Sequence, residues 1–171
     1  MNIGLYATSL VLHVLAGAAW IGGMLFMVFV LMPGLRRLDD PRLRAQLVRR
    51  AGVRFRLVGW ICMAVLLLSG IGNLLGRGIG PALWRDPAFW QGGYGRMLSW
   101  KIGLFALILL LSAVHDWVIG PRAGAAQLVR PGSPEANRLR AMATGFGRLN
   151  LLLSILVLVL GLLLSRGITG R

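Results

Sequence analysis

LYATSLVLHVLAGAAWIGGMLFMVFVLM, residues 5–32, contains no Asp, Glu, Lys or Arg and one histidine, His13. As a helix its 28 residues extend about 42 Å, more than the roughly 30 Å hydrocarbon core of a bilayer. The stretch predicts a membrane-spanning helix that tilts or extends past the core. An imidazole at that depth needs a polar partner within the protein, because lipid supplies none.

Three further apolar runs, residues 57–76, 98–120 and 146–165, are each long enough to span. The expected fold is all-α: one integral-membrane domain over residues 1–171, an antiparallel four-helix bundle. Composition agrees, with 57% hydrophobic and 14% charged residues. The formal charge of +14 comes almost entirely from arginines in the connections, which points to a membrane surface and away from nucleic acid. No basic residue precedes the first run, and the run exceeds a signal-peptide core, so this helix is expected to stay in the mature protein. The lone Cys62 excludes an internal disulfide framework.

Residues 33–56 hold eight arginines and residues 121–148 hold five, against three in residues 77–97 and none before the first run. The positive-inside rule therefore places the first and third connections in the cytoplasm and both termini on the outer side. Asp40 and Pro41 form an N-cap and first helical residue, and Leu43, Leu47 and Val48 recur at helical spacing among arginines. They predict an amphipathic helix over about residues 41–51, lying on an anionic inner leaflet and ending near Gly52. Ser133 and Pro134 repeat the cap ahead of the fourth run. Trp84, Phe89, Trp90, Tyr94 and Trp100 in and beside the second connection fit an interfacial aromatic belt.

No metalloprotease, phosphate-loop, serine-elbow or Cys-x-x-Cys motif is present. Chemistry would have to come from polar residues inside the bundle. At helical spacing, the first run places His13, Gly17, Trp20 and Met24 on one stripe, and the second places Gly59, Cys62, Leu66, Ser69, Asn73 and Gly76. The third aligns Lys101, Phe105, Ile108, Ser112 and His115, and the fourth Asn150, Ser154, Val157, Gly161 and Ser165. Facing stripes of this kind suit a bundle with leucines toward lipid.

Ser69, Asn73, Ser112, Asn150 and Ser154 read as interhelical glue. His13 and His115 are candidate metal ligands or proton carriers. A simple ion pair with Asp116 would also account for His115. Lys101 either snorkels to the outer edge or binds an anion such as a porphyrin propionate. By helix rise, His13 and His115 are offset by roughly 10–14 Å along the membrane normal. That favours two stations over one bis-histidine haem: an outer one of His13, Asn73, Lys101 and Met97, and an inner one of His115, Cys62, Met63 and Asn150. Sulfur with imidazole would suit Cu(I), although Met97, Cys62 and Met63 serve equally as ordinary apolar residues.

LHVLAGAAWIGGMLFMVFVLMPGL, the arginine-rich connection after it, Ser69-Gly-Ile-Gly-Asn73, and Lys101 opening a helix that ends in Ile119-Gly-Pro-Arg122 together resemble the copper-resistance protein D (CopD) family. The resemblance implies a bacterial inner-membrane protein associated with copper uptake or resistance, with a periplasmic copper-binding protein as partner. The chain is similar to a stand-alone four-helix version of that family, and an oligomer is compatible with its Gly-rich segments. The first helix and Lys101 are also distantly similar to HemJ-type protoporphyrinogen oxidases, which implies haem b ligated through His13, with Lys101 paired to a propionate. The Lys101 to His115 gap is longer than that pattern has. The functions expected are copper binding or passage through His13 and His115, a haem b redox protein or oxidase, or a structural accessory protein.

Overall fold

The computed structural model describes residues 2–167, and over them the chain is helical with short connections. Four helices are long and apolar enough to cross a membrane: α1 (Ile3–Arg36), α2 (Pro41–Gly76), α3 (Gly93–Val129) and α4 (Pro134–Ser165). Each follows its predecessor in the opposite direction. Both described ends of the chain therefore lie at one end of the bundle, and the two arginine-rich connections lie at the other.

The helix starts follow capping chemistry. Asn2 Oδ1 accepts from the Gly4 amide at 3.0 Å, and Asp40 Oδ1 from those of Arg42 and Leu43 at 2.8 and 3.2 Å. Ser133 Oγ accepts from the Ala136 amide at 3.2 Å. Pro41 and Pro134 occupy the first helical turn, where a missing N–H costs nothing. Two short helical turns, Pro81–Trp84 and Pro87–Gln91, fill the connection between α2 and α3.

The helices run past the bounds of the apolar runs that predict them, most clearly at three places. The expected surface helix over residues 41–51 and the second span form one unbroken helix, Pro41–Gly76. Gly52 does not end it, because a glycine stops a helix by turning to positive φ. Among the described residues only Gly78, Gly132 and Gly167 do so. The third helix, expected to end at residue 120, continues to Val129, and the fourth, expected to begin at 146, begins at Pro134.

α1 and α3 each contain one π-helical turn, Met27–Leu31 and His115–Ile119. Each stands just before a proline within the helix, Pro33 and Pro121. A proline ring collides with the carbonyl four residues earlier, here those of Phe29 and Trp117. Both carbonyls belong to the widened turns, which accommodate the ring without ending the helix.

α1 packs along α2, and α3 along α4. α1 also touches α4, and α2 meets α3 chiefly near its Gly120–Val129 segment. Ala16, Trp20, Met24, Cys62, Met63, Ile108 and Leu151 form the core. Leu10, Leu68, Leu110, Leu152 and Leu162 are exposed, as a lipid-facing surface requires. Small residues set the α1–α2 spacing. A Cβ built on Gly23 would strike the Phe55 ring, and one on Gly72 would stand 2.6 Å from Ser9 Oγ.

Candidate functional site

The antiparallel register of α1 and α2 brings His13 opposite Ser69, with Nδ1 2.9 Å from Ser69 Oγ. Ser69 Oγ donates its single proton to the Val65 carbonyl one turn earlier. In the tautomer with the proton on Nδ1, the imidazole donates to Ser69 Oγ and Nε2 carries the lone pair. Ser9, one turn before His13, donates to the Ser69 carbonyl at 2.9 Å and ties the same segment of α2 to α1. A Cβ on Gly70 would lie 3.5 Å from His13 Cε1, so this glycine lets α2 approach the ring edge.

Three further polar groups belong to this half of the bundle. Asn73, one turn beyond Ser69, has a buried Oδ1 with no hydrogen-bond partner. Lys101 is half-buried on α3, and its Nζ lies 3.2 Å from the Cβ position of Gly161 on α4. Among the described residues Lys101 makes no ion pair with an acid. At the rim, Arg77 Nε donates to Tyr6 Oη at 3.4 Å, an interaction that pushes the guanidinium's already high pKa further up.

The second histidine is arranged similarly around a different partner. His115 Nδ1 lies 3.0 Å from Asp116 Oδ1 in the π-helical turn of α3. A carboxylate only accepts, so Nδ1 is the donor of this pair. Asp116 Oδ2 accepts from Trp60 Nε1 at 2.9 Å, and its main-chain carbonyl accepts from Arg56 Nη1 at 3.0 Å. Trp60 stacks on Trp117 with ring centroids 4.8 Å apart.

The residues of α2 that face the two sites, Ser69 and Trp60, are nine positions apart, or about 13–14 Å along the helix. One metal ion cannot bridge such a distance.

Cys62 and Met63 are buried in the apolar core with Trp20 and Ile108. Asn150 Nδ2 donates to Ser112 Oγ at 2.8 Å, its buried Oδ1 without a partner. Met97 is half-buried one turn before Lys101 on α3. Among the described residues, no three His, Cys, Asp or Glu side chains come together around a point where one ion could bind.

Sequence reasoning did not identify Ser9 as part of the His13 site, nor Trp60 and Arg56 as partners of Asp116. Ser9 had a signal, since it lies one turn from His13 on the same stripe. The partners of Asp116 had none, because they depend on how α2 is rotated against α3.

A family model described as Copper resistance protein D matches residues 49–164. That stretch includes α3, α4 and most of α2, hence Ser69, Asn73, Lys101 and His115, and leaves α1 with His13 outside. A protein of Aquifex aeolicus (strain VF5), described as uncharacterized, is 30% identical over 159 residues, covering 92% of this chain and 94% of its own length. No solved structure matches the chain.

Proposed function

The chain belongs to the copper resistance protein D family and is a multi-pass membrane protein related to copper resistance. From that premise we propose that copper is its cargo, met in passage by the Nε2 atoms of His13 and His115 and not held in a resident centre. The observation that carries this reading is that each imidazole has Nδ1 in hydrogen-bond contact with a partner, Ser69 or Asp116, an arrangement that offers Nε2 as the ligand when Nδ1 holds the proton. A site with one imidazole and no nearby thiolate binds weakly, as release requires. Orientation follows from the arginine bias: the arginine-rich connections face the cytoplasm of a bacterial inner membrane, and His13 is the outer station. A periplasmic copper-binding protein is the partner expected at that face.

A second reading is haem b, favoured by the Lys101 ammonium, which is half-buried and makes no ion pair with an acid among the described residues. Such a cation suits an acidic porphyrin. His13 would hold the haem iron, and Lys101 or an arginine would pair with a propionate. Bound haem would supply one-electron chemistry.

The test is an absorption spectrum of protein purified in mild detergent, with copper and iron measured on the same sample. Copper uptake without a Soret band, lost in His13→Ala, supports cargo passage. A Soret band with near-stoichiometric iron replaces that reading with haem. If the His13→Ala variant retains full copper stoichiometry, His13 is not a ligand.

A further inference from the structure

At the arginine-rich end, Val53, Arg54, Arg56, Leu57 and Trp60 of α2 and Trp117 of α3 line a groove of about 420 Å³ between the two helices. Residues 53, 56 or 57, and 60 recur at three- to four-residue spacing, so they form one continuous face of α2. The groove has two chemically distinct zones. Arg54 and Arg56 supply its charge, and Trp60 and the exposed Trp117 its aromatic surface, with Trp60 six positions from Arg54 and four from Arg56, or about 9 and 6 Å along the helix.

Arg54 is exposed, and neither arginine forms an ion pair with a carboxylate among the described residues. The nearby carboxylate, that of Asp116, has its two oxygens engaged by His115 and Trp60. Arg56 commits Nη1 to the Asp116 main-chain carbonyl, which positions its guanidinium at the groove. Two guanidinium groups therefore lie beside an aromatic, lipid-facing surface without an anion from the protein.

We propose that this groove is a binding site for one anionic phospholipid. Arg54 and Arg56 hold the headgroup phosphate, and an acyl chain lies over the Trp60–Trp117 stack. Charge complementarity at the arginines and the aromatic surface beside them select a molecule with both properties. The inference is independent of copper or haem and of which leaflet the groove opens into.

The test uses the full chain in dioleoyl phosphatidylcholine vesicles containing a small fraction of either dibromo-phosphatidylglycerol or dibromo-phosphatidylcholine, with tryptophan emission recorded. The brominated phosphatidylglycerol is expected to quench more than its mole fraction accounts for, and the brominated phosphatidylcholine only in proportion. Arg54→Gln should reduce the preference about fivefold. Arg37→Gln, the same charge change at the same end but outside the groove, should preserve it. Equal quenching by the two lipids in the unmodified protein overturns the proposal without reference to any variant. So does a preference that survives Arg54→Gln, or one that falls equally in Arg37→Gln, which would mean diffuse surface attraction.

Discussion

Trp60 Nε1 donates to Asp116 Oδ2 at 2.9 Å and so joins the middle of α2 to the π-helical turn of α3. Trp60→Phe keeps an aromatic ring able to stack on Trp117 but removes the donor, leaving one oxygen of a part-buried carboxylate unpaired. The expected cost is about 1–3 kcal/mol, read as a lowered melting temperature in detergent. An unchanged melting temperature would show that water or His115 alone satisfies Asp116.

Ser69 Oγ meets His13 Nδ1 at 2.9 Å, so Ser69→Ala should act on the site and spare the fold. Ser9 bonds to the Ser69 main-chain carbonyl and that contact survives the change. Metal or haem retention is expected to fall about 10–100-fold, as for other residues that orient a ligating histidine. Titration of the purified protein with Cu(I) or haem measures this, and retention equal to the unmodified protein would make the hydrogen bond purely structural.

The buried Oδ1 of Asn73 accepts from no group among the described residues. Asn73→Leu removes an unsatisfied acceptor and should leave stability unchanged or slightly raised. If the oxygen serves the cargo, copper tolerance of the host should nonetheless fall. A variant that is equally stable and equally protective would relieve Asn73 of any role at the site.

Gly95 is buried where α3 begins, and a Cβ there would overlap the Phe89 carbonyl oxygen and lie 2.8 Å from Phe89 C and Trp90 Cα. These are main-chain atoms that cannot rotate aside. Gly95→Ala should destabilise by about 1–3 kcal/mol. Gly103→Ala, two turns on with nothing within 4 Å of its Cβ position, should not. Thermal unfolding of the two variants side by side provides the check.

Much of this architecture was legible in the residues. Four uninterrupted apolar runs required four spans, and the small or polar stripes found their places: Trp20, Met24, Gly59, Cys62, Ser69, Ile108, Ser112 and Ser154 are all buried. The helix ends were less legible because charge marks where a helix leaves the hydrocarbon and not where it stops. Residues 41–56 and 121–129 simply continue as helix into a polar setting. The pairing of His115 with Asp116 could be read from adjacency. That of His13 with Ser69 could not, since it depends on the rotation of α2 about its own axis, to which periodicity alone is indifferent.

That rotation has a mechanical side. α2 runs without a break from Pro41 to Gly76, 36 residues or about 54 Å. Its Arg42 to Arg56 half and its Ser69 are parts of one rigid shaft. Whatever seats against Arg54 therefore bears on the same helix whose Ser69 holds His13, with no loop between the two.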